Sequence, residues 1–324
     1  MKKKPLVSII INNYNYANFI AEAINSALRQ TYQPIEIIVV DDGSTDNSRT
    51  IINHFQAAII PIFKENGGQA SAFNAGFAAS SGDIICFLDA DDIFVPKKVA
   101  EVVTTLQNNP ELNWCFHDVQ LVDQNGKQTL NNSPKNPSFK CDLRASIQQG
   151  KITGTAHYFE IPPTSGLCFN RGLLEQILPM PEGKGISIGD SYLQHAALYL
   201  SPGFVLGKPL VLQRIHNNNR FTLTKNHQQT QAKIYILLSY WLKHNFPALK
   251  KLTDKYIALS LSLIWYYQIS DFNQKLFQDY FKSLTIKEKN LIRLRAIYYI
   301  LRKIFNEFSL NSIIKKNLSE RWQN

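Results

Sequence analysis

The chain has 324 residues, 44% of them hydrophobic, with 19 Phe and 14 Tyr, which is too apolar for disorder and long enough for one large α/β domain with an appendage. Its net charge of +10 is unevenly placed: residues 225–324 hold 17 Lys and Arg against 6 Asp and Glu, and residues 1–224 hold 18 against 19. A fold basic throughout would suit nucleic acid, whereas a basic terminal region points to an acidic or membrane surface for that region alone.

Leu6 to Ile11 (LVSIII) is β-branched and predicts a buried parallel strand, ended by Asn12-Asn13. Phe19, Ala23, Ile24, Ala27 and Leu28 recur at helical spacing and predict an amphipathic helix to about Gln30. Ile35 to Val40 (IEIIVV) predicts a second buried strand, which stops at Asp41-Asp42-Gly43-Ser44-Thr45-Asp46. Ser44 or Thr45 can cap the next helix, which carries Ile51, Ile52 and Phe55. Ala57 to Phe63 predicts a third strand, made an edge or an interrupted strand by Pro61. Asn66-Gly67-Gly68-Gln69 opens a small-residue helix to about Ser80, and Ile84 to Leu88 predicts a fourth buried strand. This alternation implies a doubly wound, mostly parallel sheet.

The fourth strand runs into Asp89, Asp91 and Asp92. Three carboxylates within four residues repel one another, and a chain tolerates them in a solvated loop or around a cation. Ligands of doubly wound sheets bind outside the carboxyl ends of the strands. Asn12-Asn13, Asp41-Asp42 and the Asp89 cluster each follow a strand, so one edge gathers three polar groups. Neither GxGxxG nor GxxxxGK[ST] is present. The acidic edge instead suits Mg²⁺ or Mn²⁺, an ion commonly held by one or two carboxylates plus substrate phosphates.

Three stretches in order, SIIINNYNYANFIAEAINSALRQTYQPIEIIVVDDGSTDNS, NGGQASAFNAGF and FLDADD, resemble the family 2 glycosyltransferases of the GT-A fold. The likeness is strong over about residues 5–125 and looser to about residue 220. It implies an inverting transferase that uses a nucleotide-activated sugar, usually a UDP-sugar, with Mn²⁺ or Mg²⁺. On this resemblance Asp42, or the Asp41-Asp42 pair, contacts the base, and the backbone near Asn12 lines the same pocket. Asn66, Gln69 and Asn74 join the nucleotide-sugar contacts, Asp89 sits near the ribose or donor sugar, and Asp91 holds the metal. The family often has Arg before the Asn of its AxN element, where this chain has Phe73.

After Pro96 a helix (Val99, Val102, Val103, Leu106) leads to Trp114–His117, Val119–Val122 and a turn at Asp123–Gly126, where Asn-Gly is a hairpin signal. Residues 130–165 lack periodicity and predict an acceptor-facing lid. Pro163–Gly166 and Leu167–Phe169 resemble the family's strand on the acceptor side. Gly189-Asp190 opens a helix with Tyr192, Leu193, Ala196, Ala197 and Leu200. Asp190 can be its N-cap; by resemblance it is the catalytic base, although Gly189 replaces the first member of the family's acidic pair. Leu210 to Ile215 predicts a strand, and by resemblance to the family's Arg-x-His pattern His216 is expected to be a metal or pyrophosphate contact, with Arg214 beside it.

From Gln228 the pattern is helical and basic, which sets a catalytic domain at residues 1–224 and a helical region at 225–324. Leu294, Ile297, Leu301, Ile304 and Phe308 form a stripe that suits either core packing or an interfacial helix at anionic lipid. The apolar stretch after Lys2–Lys4 is too short for a signal sequence, and Tyr256–Ile269, at 14 residues, is too short to cross a bilayer. Cys86, Cys115, Cys141 and Cys168 form no CxxC and suit a reducing compartment. The expected location is therefore cytoplasmic, with any membrane contact peripheral at the inner face of the plasma membrane. The expected acceptor is a glycan or lipid-linked hydroxyl in cell-surface polysaccharide or glycan synthesis. The alternatives are a nucleotidyltransferase, which would need a basic, Gly-rich first loop, and a non-catalytic sugar-nucleotide binder.

Overall fold

The structure is a computed structural model that describes residues 4–128, 136–151, 159–182, 188–216 and 227–321, with side chains as far as residue 306. The chain divides into two compact units, Met1–Leu223 and Thr224–Asn324.

The first unit opens with β1 (Val7–Asn13), α1 (Ile20–Leu28), β2 (Ile35–Asp41), α2 (Ser48–His54), β3 (Ile60–Phe63), α3 (Gln69–Ala79) and β4 (Ile84–Asp89). These strands pair in parallel in the order β3-β2-β1-β4. Val7, Ile9, Ile10 and Ile11 of β1 are all fully buried, as a central strand covered on both faces requires. β3 is the sheet edge expected from Pro61. α1 buries Ala23, Ile24 and Ala27 of the stripe read from its spacing, with Ile20 beside them, whereas Leu28 is exposed. α3 lies close to the sheet at Gly76, where a Cβ would stand 2.5 Å from Ile10 Cγ2.

The chain continues through β5 (Ile93–Phe94), α4 (Lys98–Gln107), β6 (Trp114–His117), β7 (Gln120–Val122), β8 (Phe139–Cys141), α5 (Arg144–Gln148), β9 (Leu167–Asn170), α6 (Arg171–Ile177), α7 (Gly189–Leu200), β10 (Gly203–Leu206) and β11 (Val211–Arg214). β9 inserts antiparallel between β4 and β6, and β10 and β8 complete an eight-stranded sheet. The sheet is thus mostly parallel, as expected, with antiparallel pairs at β9 and β8. Cys86, Cys168 and Cys115 align across β4, β9 and β6, and all four cysteines are free and buried. The Asp123–Gly126 turn forms as read, with Asp123 N–H donating to the Lys127 carbonyl at 2.8 Å.

One expectation changes. Residues 136–151 are not featureless: they contain β8 and α5, and β8 takes its partner from β10 some sixty residues on, a pairing with no local signal. Residues 130–135 and 152–158 of the expected lid lie outside the described residues. β11 does not join the main sheet but forms a three-stranded sheet with β5 and β7, which carries Arg214 and His216 towards the end of β4.

The second unit consists of α8 (His227–Asn245), α9 (Lys250–Tyr267), α10 (Gln274–Lys282) and α11 (Ile286–Arg321). Ala232, Ile236, Ile257, Ala258, Leu261, Tyr280, Ile292 and Ala296 form its core. Of the two readings of the α11 stripe, core packing is not what forms: Leu294, Ile297 and Leu301 are exposed and Ile304 is half-buried. Ile292 and Ala296, on the other side of α11, make the contact instead, and the Phe308 side chain lies outside the described residues. No described helix is long and apolar enough to cross a membrane.

Candidate active site

β1, β2 and β4 end side by side, with Asn13 opposite Asp41 and Asn12 opposite Asp89. At this edge lies a cavity of about 660 Å³, lined among others by Asn12, Asn13, Asp42, Asn66, Gln69 and Asp89. Asp91, Asp92 and Asp190 complete its acidic wall, and Tyr14, Tyr16, Thr164 and Gln213 also line it.

The Asp41-Asp42 pair divides its work. Asp41 turns inwards, where Oδ2 accepts from Asn13 Nδ2 at 2.8 Å and Oδ1 from the Ser44 N–H at 3.0 Å; it does not line the cavity. Asp42 does, and it also folds the Asn66–Gln69 turn. Its Oδ1 accepts from Lys64 Nζ at 2.7 Å and the Gly67 N–H at 3.0 Å, and its Oδ2 from the Gly68 N–H at 2.7 Å. Gly68 has φ +86 and ψ 172, a conformation essentially restricted to glycine. That turn starts α3 and sets Gln69 against Asp89 Oδ1 (3.4 Å) and Thr164 Oγ1 (3.3 Å). Asn74 is not brought to the cavity. Phe73, buried 4.7 Å from the Phe87 ring, fixes the rotation of α3, and Asn74 bonds to the Met180 main chain and Glu182 Oε1.

The carboxylates after β4 occupy different surroundings. Asp89 is half-buried and accepts from Asn12 Nδ2 at 2.9 Å. Desolvation and then the neighbouring Asp91 charge push its pKa up to about 7, against the hydrogen bond from Asn12. Asp92 is buried, and desolvation followed by the Asp91 and Asp89 charges raises it well above the usual carboxylate range. A serine ties the two together: the Asp89 N–H donates to Ser165 Oγ at 3.1 Å, and Ser165 Oγ donates to Asp92 Oδ2 at 2.6 Å. The Arg214 N–H reaches Asp92 Oδ1 at 3.1 Å. The Arg214 guanidinium, however, turns to Glu22 Oε2 (2.7 Å) and the Phe19 ring, away from the acidic wall. His216 sits behind Asp91, with Nε2 at 3.0 Å from Asp91 Oδ2 and its ring stacked on Phe19.

Asp190 is the second residue of α7, after Ile188 in the cap position, so it is not the N-cap. Its Oδ1 accepts from the adjacent Ser191 N–H at 2.6 Å. The helix start favours the ionised form, but burial outweighs it and raises the Asp190 pKa. Gly189 packs against Gln69, where a Cβ would meet Oε1 at 2.6 Å, so Gln69 fills the space in front of the missing acidic partner.

Among the described residues, no group of three His, Cys, Asp or Glu side chains is placed to hold a metal ion alone. The carboxylates of Asp89 and Asp91 with the His216 imidazole are nonetheless ligand types that suit Mn²⁺ or Mg²⁺, provided substrate phosphates complete the shell. The repulsion between the Asp89 and Asp91 carboxylates, which adds to desolvation in lifting Asp89, is what a cation would relieve. Asn12 Oδ1 and Asn13 Oδ1 are buried with no hydrogen-bond partner in the protein, and buried acceptors of this kind ordinarily find one.

A family model described as Glycosyl transferase family 2 matches residues 8–161. An uncharacterized glycosyltransferase of Nostoc sp. is 40% identical over 232 residues, which is 70% of this chain and 70% of that protein. The chain belongs to glycosyl transferase family 2. An uncharacterized glycosyltransferase of Rickettsia prowazekii is 44% identical over 123 residues, 37% of this chain and 38% of its own length. Among solved structures, S. aureus TarS 1-349 in complex with UDP-GlcNAc superposes with a TM-score of 0.60 at 15% identity, over 91% of this chain and 89% of that one, a likeness of fold. As a family 2 member the protein is a glycosyltransferase, which sets aside the nucleotidyltransferase and non-catalytic readings. Thr164 and Ser165 are the residues that sequence reasoning missed. Pro163–Gly166 marks a turn, but nothing local shows that its hydroxyls reach Gln69 and Asp92, more than seventy positions upstream.

Proposed function

We propose that this glycosyltransferase moves a sugar from a UDP-sugar to an acceptor hydroxyl with inversion, using Asp190 as the base. The observation that carries the reading is the acidic cavity at the strand ends, where Asp190 joins Asp42, Asp89 and Asp91 around one space of nucleotide-sugar size. The half-exposed Tyr14 ring offers a flat face for stacking a base, and Asp42 with the Asn66–Gly68 turn offers acceptors and donors for its edge. Asp89 and Asn12 supply acceptors for the ribose or donor-sugar hydroxyls.

Mn²⁺ or Mg²⁺, held at Asp91 with His216 behind it, would neutralise the leaving diphosphate. An inverting transfer is a single displacement, so a carboxylate must take the acceptor proton as the new bond forms. Asp190 has the raised pKa of such a base. TarS, of the same fold, binds UDP-GlcNAc, which supports a UDP-sugar donor here. The four buried thiols support a reducing, cytoplasmic location, and a glycan or lipid-linked hydroxyl remains the proposed acceptor. The domain that does this chemistry is residues 1–224.

A thermal-shift screen of nucleotide-sugars with Mn²⁺, followed by NMR of the product's anomeric carbon, tests this reading. UDP-sugars are expected to raise Tm and the product to carry inverted configuration. Stabilisation by nucleoside triphosphates alone, or a retained configuration, would contradict it.

A further inference from the structure

We propose that the outward face of α11 docks on an anionic phospholipid membrane. Leu291, Leu294, Ile297, Tyr298, Leu301 and Phe305 are all exposed, with Leu294 at 63%, Leu301 at 60% and Phe305 at 73%. At 3.6 residues per turn these six fall within an arc of about 120°. This is a continuous apolar stripe opposite the face that Ile292 and Ala296 bury in the core of the unit. A stripe of that length facing water is unfavourable, and such surfaces ordinarily mark a contact.

Charge selects the partner. Between residues 286 and 306 the helix carries Lys287, Lys289, Arg293, Arg295, Arg302 and Lys303 against one acid, Glu288. Glu288 is already paired with Lys250 at 2.9 Å. Arg293 and Arg302, both exposed, project at the two margins of the apolar arc. A second copy laid on this face would set arginine against arginine, whereas an anionic lipid surface meets the basic margins with opposite charge and takes the apolar stripe into its interfacial layer.

The test is flotation of the full chain with phosphatidylcholine vesicles, with and without phosphatidylserine. Wild type is expected to float with the phosphatidylserine vesicles at low salt and to be released as salt rises. Arg293→Gln and Arg302→Gln are each expected to weaken partitioning about fivefold. Leu301→Glu with Phe305→Glu is expected to weaken it by about tenfold or more. These side chains are exposed, so an unchanged Tm verifies folding. Failure of wild type to float at low salt overturns the proposal, as does undiminished flotation of the double variant. A lipid-free dimer in sedimentation velocity, dispersed by Leu301→Glu and blind to vesicles, overturns it in favour of a second copy.

Discussion

Asp89→Asn is expected to flatten the pH dependence of thermal stability. In the folded protein the Asp89 carboxyl titrates at about 7, whereas in the unfolded chain it titrates near 4. Below pH 4 both states hold the proton and nothing is gained or lost. Between these values the unfolded chain has released its proton and the folded one keeps it, so stability falls as pH rises, and above about 7 the penalty is complete. Three units at 1.36 kcal/mol each set a ceiling of about 4 kcal/mol. Asp89 lies on a cavity wall that water reaches, and screening reduces the expected effect to roughly 1–2 kcal/mol. For a unit of this size that is a Tm difference of about 3–6 °C. Asn at position 89 keeps an acceptor for Asn12 and carries no charge. Scanning calorimetry at pH 5 and pH 8 should therefore show wild type losing that margin relative to Asp89→Asn. Parallel Tm profiles of the two proteins would refute the reasoning.

UDP affinity is expected to rise with Mn²⁺ or Mg²⁺, and Asp91→Ala to abolish the gain; equal affinity by calorimetry in EDTA and in Mn²⁺ would contradict the metal assignment. Ser165→Ala removes the link between the Asp89 N–H and Asp92, and urea unfolding is expected to show a loss of about 1–3 kcal/mol. Gly68→Ala places a Cβ at φ +86 and is expected to cost at least about 1 kcal/mol and to weaken UDP binding, because Asp42 is held by this turn. Unchanged Tm and unchanged affinity would show that the turn tolerates a side chain.

The first half of the sheet was legible because buried parallel strands read as apolar runs, and each run here ends in a polar pair. Asn12-Asn13, Asp41-Asp42 and Asp89 could be assigned to one edge from topology alone, and the structure pairs them there. Which of Asp41 and Asp42 faces the cavity was not legible, because side chains on a strand alternate and the choice depends on where the strand stops. Asn74 was misplaced for a related reason: Phe73 takes the inward position on α3, and the neighbouring amide is left to the Met180 segment. Ser165 was invisible because its partners are distant in sequence. The α11 stripe has helical period whichever side is buried, and it is Ile292 with Ala296 that enters the core of the unit.

Asp190 lines the cavity wall, which supports its proposed role as the base over that of a structural cap. The direct measurement is a paired one on Asp190→Asn: calorimetric affinity for UDP with Mn²⁺, and turnover of the UDP-sugar identified by the donor screen. Asn preserves size and can still accept from the Ser191 N–H, so the account predicts folding and UDP affinity close to wild type, with turnover reduced about 100-fold or more. Turnover within a few-fold of wild type, at unchanged affinity, would contradict it.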